Sequence, residues 1–143
     1  MSPKDYLKRY EIIELRIREK QEQVSVLRER ARSVCSPSLS GGAHSTDKSD
    51  RVARLTERLV DMERDINAEI DRLADTREEI MAVIEQLPDE RLKLLLEMKY
   101  ISLKTLEQIA VAMDYSYKQI CRLHGKALAA VKDVLECPTG NVL

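Results

Sequence analysis

The sequence KTLEQIAVAMDYSYKQICRLHG, residues 104–125, decides the fold. Its apolar residues follow helical spacing on both sides of a single interruption at residues 114–116. One helix is therefore expected to end at Met113 and another to begin at Ser116, with almost no room to turn. Two interpretations fit this pattern: a helix-turn-helix that holds its second helix outward, or an ordinary corner in a small helical core.

A helix-turn-helix needs a small residue where its helices approach, a turn that tolerates a left-handed backbone, and apolar residues that hold the pair together. Ala110 is the small residue. Asp114 lies at the turn, and after glycine, aspartate and asparagine tolerate the left-handed conformation best. The positions that must then be buried are all apolar or aromatic: Ile109, Met113, Tyr115, Ile120 and Leu123.

The outward face of the second helix is basic. Between residues 116 and 132 there are four Lys or Arg residues and no Asp or Glu, in a chain that is otherwise rich in acids. A helix N-terminus capped by Ser116 and followed by basic residues suits phosphates and base edges. DNA binding is therefore predicted, and a purely structural or protein-docking corner remains the alternative. The outward positions are Tyr117, Lys118, Cys121, Arg122 and Lys126.

Two long amphipathic helices are predicted before this region, over residues 4–34 and 50–87. Between them, residues 35–49 are rich in Ser and Gly and lack periodicity, which predicts a flexible loop. Pro88 ends the second helix. The predicted organisation is a coiled-coil-like antiparallel hairpin over residues 1–87, a three-helix domain over 88–136 with helices near 89–100, 105–113 and 116–135, and a tail over 137–143.

Composition and charge agree with an all-α class. Of the 143 residues, 34 % are charged and only 3 % are aromatic. Residues 4–32 carry nine basic and six acidic residues, whereas residues 33–87 carry seven and twelve, so the two long helices should attract each other. Their apolar stripes are longer than two helices can hide, which favours a homodimer through the N-terminal helices. The alternative is a monomer whose remaining apolar edge is covered by its own C-terminal domain or by polymerase.

Several function classes are not expected. The chain has no run of about 18 to 20 apolar residues and no signal-peptide core, so a cytoplasmic protein without a membrane partner is predicted. Its three cysteines, Cys35, Cys121 and Cys137, suit neither a disulfide framework nor a zinc site. His44 and His124 have no ligands at metal-binding spacing, and His124 is interpreted as a phosphate contact or a half-buried polar residue. No catalytic motif is present, so neither an enzyme nor a cofactor is expected.

Residues 87–135 resemble the region-4 domain of sigma-70-type factors. The shared pattern is Leu-Pro followed by acids, a helix, and a helix-turn-helix with EQIA and a basic second helix. The chain outside its loop resembles, more closely, a family of small proteins from phages and prophages of Gram-positive bacteria. That resemblance is carried by DYLKRY (5–10), DINAEIDRL (65–73) and residues 104–128. The sequence has no stretch like sigma region 2, which melts promoters, so a self-sufficient sigma factor is not expected.

The resemblance implies a transcriptional regulator in the cytoplasm of a bacterial host. Its partners would be double-stranded DNA and host RNA polymerase. An alternative is a module that docks on polymerase or another factor without reading DNA, because sigma region 4 also contacts polymerase. By the same resemblance, base or phosphate contacts would come from Tyr117, Lys118, Cys121 and Arg122, and backbone contacts from Lys104, Thr105 and Gln108.

Overall fold

The structure is a computed structural model that describes residues 1–35 and 45–137, with the side chains of residues 1–33 and 48–137. It contains five α-helices and one π-helical segment, and no strand occurs in these ranges. The predicted all-α class is therefore confirmed. In chain order the elements are α1 (Pro3–Cys35), α2 (Ser45–Glu85), α3 (Glu90–Leu96), the π-helical segment (Glu97–Ile101), α4 (Leu106–Met113) and α5 (Tyr117–Glu136).

The predicted helices match the observed ones to within about two residues at each end, apart from two larger differences. Helix α2 begins at Ser45, so it includes the last residues of the loop predicted over 35–49. The helix predicted over 89–100 changes from α to π geometry after Leu96. The rest of the predicted loop, residues 36–44, and residues 138–143 of the predicted tail lie outside the described residues.

The chain divides into two compact units, and both long helices contribute to each. One unit combines Met1–Ile13 with the chain from Leu73 onward, and the other is Glu14–Arg72. The end of α2 shares a buried core with α3, α4 and α5, because Ile80, Val83 and Ile84 pack in the same cluster as their apolar residues. A boundary between independently folding domains at residue 87 stays a prediction.

The Glu14–Arg72 unit consists of two antiparallel helical segments. Arg16 and Lys20 of α1 pair with Glu69 of α2 at 3.6 and 3.9 Å, and Arg28 pairs with Glu63 further along. The partners advance along α1 as they recede along α2, which sets the antiparallel direction. The Arg28–Glu63 pair is exposed and contributes at most about 1 kcal/mol, and the pairs to the partly buried Glu69 are long, so burial of the apolar stripe holds the segments together. The buried stripe is Ile17, Val24, Leu27 and Ile66.

The other unit has a continuous aliphatic core with one tyrosine. Helix α3 begins after Pro88, where the Asp89 side chain accepts a hydrogen bond from the Arg91 N–H at 2.9 Å. Helix α4 is capped by Thr105, whose side chain accepts a hydrogen bond from the Gln108 N–H. The largest fully buried side chains of this unit are Leu7, Ile80, Ile84, Leu95, Leu96, Tyr100, Ile109, Ile120 and Val131.

The corner between α4 and α5 forms at Asp114, as predicted. Asp114 adopts a left-handed backbone, with φ 60° and ψ 43°. The Tyr115 N–H donates to the Ala110 carbonyl at 2.9 Å and the Asp114 N–H to the Val111 carbonyl at 3.3 Å, which is a Schellman motif. Of the residues predicted to hold the pair, Ile109, Ala110, Ile120 and Leu123 are buried, and Met113 and Tyr115 are partly buried.

We expect Asp114→Val to lower the free energy of unfolding by about 1 to 2 kcal/mol, because a β-branched residue is strained in the left-handed region. Asp114→Gly is the matched control and should stay within about 1 kcal/mol of the parent, since glycine adopts this conformation freely. Urea unfolding of the three proteins measures both effects. A valine variant as stable as the glycine variant would contradict a left-handed turn at this position.

Candidate nucleic-acid interface

Helix α5 has one buried face and one basic face. Ile120, Leu123, Ala127 and Val131 are buried against the core, which fixes the rotation of the helix about its axis. The basic residues Lys118, Arg122 and Lys126 are spaced four apart, so they form one stripe, and all three are exposed. The structure therefore brings three of the predicted contact residues together on one open surface.

The first turns of α5 add two further predicted residues to this surface. Tyr117 is 52 % exposed and Cys121 is exposed one turn later. A hydrogen bond with the Cys121 side chain, with smaller contributions from the charges of Cys121 and Glu107, raises the pKa of Tyr117. A tyrosine of ordinary or raised pKa keeps its phenolic proton at neutral pH, so Tyr117 offers a hydroxyl donor beside the basic stripe.

Three other predicted contact residues are engaged in helix caps. The Ser116 Oγ accepts from the Gln119 N–H at 3.2 Å, and the Gln119 side chain accepts from the Ser116 N–H at 2.9 Å. Thr105 and Gln108 form the same reciprocal arrangement at the start of α4, at 3.2 and 3.0 Å. These caps satisfy backbone donors that helix formation leaves free, so their first role is to define where α4 and α5 begin.

Lys104 and the α4 caps remain accessible. Lys104 is exposed immediately before α4, and Thr105 and Gln108 are exposed at its first turn. The Gln108 side chain uses its carbonyl oxygen in the cap, which leaves its amide N–H groups for another partner. The start of α4 therefore presents one cation and amide donors, as a contact to a phosphate backbone requires.

Arg91 joins the basic surface although the sequence did not single it out. It lines a groove of about 160 Å³ together with Tyr115, Gln119, Arg122 and Lys126. Its guanidinium pairs with Asp89 at 3.1 Å, and that hydrogen bond raises the pKa of Arg91 and lowers that of Asp89. Arg91 is far from the helical corner in sequence, and only the packing of α3 on α5 brings it beside the basic surface.

His124 is half-buried on α5, which is one of the two roles predicted for it. Its Nε2 lies 2.8 Å from the Tyr100 hydroxyl, and the two rings are stacked. Burial, followed by the charges of Lys99 and Lys4, lowers the pKa of His124. Burial, followed by Glu11, raises the pKa of Tyr100 to about 12. A protonated phenol therefore faces a neutral imidazole near pH 7.

This pair implies a stability loss in acid. Because the folded pKa of His124 lies below its ordinary value of 6.5, the stabilisation is present above pH 6.5 and is lost as the pH falls through the folded pKa. We expect the stability advantage of the wild type over His124→Gln to shrink between about pH 7.5 and pH 5.5. Urea unfolding at both values measures it. A constant difference would contradict a half-buried histidine that is neutral in the folded protein.

No model of a protein family, no curated protein and no solved structure matches the chain. Among the residues that the structure describes, no group of three His, Cys, Asp or Glu side chains could hold a metal ion. In those same ranges, no helix has an apolar stretch of the length that crossing a membrane requires.

Proposed function

We propose that this protein is a sequence-specific DNA-binding regulator of transcription, encoded by a phage or prophage and acting in the cytoplasm of its bacterial host. In this proposal α1 and α2 form one long antiparallel hairpin, and α3 to α5 form a helix-turn-helix domain resembling sigma region 4. The observation that carries the proposal is the exposed, acid-free basic stripe of α5, Lys118, Arg122 and Lys126.

The electrostatics favour a local contact with nucleic acid. The net charge of the chain is −1, so bulk attraction to DNA is absent and binding must come from a patch. The stripe on α5 has Arg91 beside it, and Lys104 adds a further exposed cation before α4. Lysine and arginine side chains that neutralise phosphates release counterions from DNA.

The geometry of α5 suits entry into a major groove. Its buried face is fully occupied by the core, so the opposite face is free over its first turns. An arginine such as Arg122 can donate two hydrogen bonds to the edge of a guanine, whereas Lys118 acts as a point charge on a phosphate. Tyr117 supplies a hydroxyl and an aromatic ring at the N-terminal end, where recognition helices make their base contacts.

Arg91 should contribute through phosphate contact and not through base recognition, because it lies on α3 beside the stripe. We expect Arg91→Ala to weaken binding evenly across DNA sequences and to reduce the slope of log affinity against log salt by about 1. Titrations between about 50 and 200 mM salt measure that slope. A changed sequence preference in this variant would place Arg91 in base reading instead.

A second candidate function is docking on RNA polymerase or another factor without DNA reading. Val111 favours it, since this α4 residue is 84 % exposed beside the corner and offers an apolar contact. Protein contacts of this kind depend weakly on salt, whereas phosphate contacts weaken steeply. Salt dependence therefore separates the two functions.

The experiment that tests the proposal is selection of bound fragments from a random DNA pool by the purified full-length protein. Enrichment of a common sequence motif, with affinity that falls steeply with salt, is the expected result. Absence of enrichment, together with salt-insensitive capture of polymerase, would replace DNA reading by the docking function.

We further infer that the protein acts as a homodimer through its N-terminal helices. Two copies of α5 would then read two half-sites about 34 Å apart or at a multiple of that distance. A selected motif with two-fold symmetry and this spacing would support the homodimer.

A further inference from the structure

A groove runs between the two helical segments of the Glu14–Arg72 unit. Its volume is about 390 Å³, and it is lined by Glu22, Val26 and Arg30 of α1 and by Arg58 and Met62 of α2, among others. Val26 is 54 % exposed, although Leu27 beside it is buried between the helices. The groove therefore has an apolar centre that the described residues of the chain leave open to solvent.

Charges on α1 flank this apolar centre in a definite order. Glu22 lies four residues before Val26, and Arg30 lies four residues after it, so the three side chains follow one stripe of the helix. Neither Glu22 nor Arg30 has an ion-pair partner within the part of the chain that the structure describes. One end of the stripe is thus an unpaired acid and the other an unpaired base.

We propose that this groove binds a second copy of the same chain, with the two α1 helices antiparallel and a two-fold axis at Val26. In that arrangement Val26 contacts its counterpart, and each Glu22 faces the Arg30 of the other chain. A two-fold interface must be self-complementary, and a stripe that is acidic at one end and basic at the other meets this condition. The opposite charges also fix the register.

The main alternative register is unfavourable. Leu15 is the other exposed apolar residue of α1 in this unit, at 52 % exposure, and an axis midway between Leu15 and Val26 would bring these two together. That axis would also place Glu19, four residues after Leu15, opposite Glu22, four residues before Val26. Two like-charged contacts at an interface oppose association, so the axis at Val26 is preferred.

The inference rests on the homodimer proposed above and is independent of DNA binding. Its test is sedimentation of the full-length protein over a dilution series, using Glu22→Arg and Arg30→Glu. Each single variant places like charges opposite each other, so we expect its dissociation constant to rise on the order of tenfold. The double variant Glu22→Arg/Arg30→Glu restores opposite charges and should dimerise as the wild type does.

A mixture of the two single variants gives the sharpest outcome. The arginine at position 22 of one chain would face the glutamate at position 30 of the other, and Arg30 of the first would face Glu22 of the second. We therefore expect a heterodimer from two variants that homodimerise poorly. Recovery in both the double variant and the mixture supports the proposed register, and failure of either recovery overturns it.

Matched controls lie on the opposite side of α2. Glu57→Arg and Arg64→Glu reverse the same kinds of charge at exposed positions near Val60, away from the groove. They should leave the dissociation constant unchanged, with helix content by circular dichroism equal in all variants. Weakened dimers here would assign the interface to the Val60 side. If the single groove variants dimerise normally, the groove is not the interface, but the homodimer stands. If the wild type is a monomer, both the groove interface and the homodimer are refuted.

Discussion

Ile120→Ala is expected to lower the free energy of unfolding by about 2 to 5 kcal/mol, the largest effect among the substitutions considered. Ile120 is fully buried in the same core as Ile109 and Leu123, where α5 packs against α4. Truncation removes apolar contacts and leaves a cavity at the corner that determines the direction of α5. Urea or thermal unfolding followed by circular dichroism measures the loss.

Val111→Ala is the control for this experiment. Val111 is also β-branched and lies on α4, but its side chain is 84 % exposed, so its truncation should change stability by less than about 0.5 kcal/mol. An Ile120→Ala variant with the same free energy of unfolding as the parent would contradict the packing of α5 on α4.

Arg122→Ala is expected to cost about 1 to 3 kcal/mol of specific DNA binding and to relax sequence preference at one base pair. The reason is that Arg122 is exposed at the middle of the basic stripe, where its guanidinium can donate to a base edge. Lys118→Ala should instead weaken binding to all sequences alike, with a shallower salt slope. Competition titrations with the selected motif and with scrambled DNA separate the two behaviours.

Lys132→Ala provides the matched charge control. Lys132 also lies on α5, but it is far beyond the first turns and pairs with Glu136 at 4.0 Å. Its loss should therefore have a smaller effect on affinity than the loss of Lys118. A folded Lys118→Ala/Arg122→Ala double variant with unchanged DNA affinity would refute DNA reading by α5 and favour protein docking.

Local sequence signals determined the secondary structure and the corner of this protein. Three-and-four spacing of apolar residues indicates helices directly, and Pro88, Asp114 and Ser116 mark helix ends through backbone chemistry that depends only on neighbouring residues. For the same reason the buried face of α5 and the basic stripe opposite it could be predicted, since helical periodicity relates one face to the other.

Features that depend on residues distant in sequence required the tertiary structure. The π-helical segment after Leu96 has no distinctive local signature. The two capping boxes are the exception, because Gln108 and Gln119 lie three residues after Thr105 and Ser116, and that spacing is a local signal from which they could have been predicted. The contact of Tyr100 with His124 joins residues on different helices, so neither partner could be identified from its own segment.

The sequence by itself determined an all-helical chain, a tight corner at Asp114 and a basic face on its last helix. Only the tertiary structure decided that Arg91 lies beside that face and that the end of α2 belongs to the same core as α3 to α5. It also decided that the Val26 side chain is exposed while that of Leu27 is buried. The physical reason is the distance along the chain over which each kind of interaction acts. Periodicity and capping act within a few residues, whereas the rotation and packing of one helix on another depend on all the side chains that meet between them.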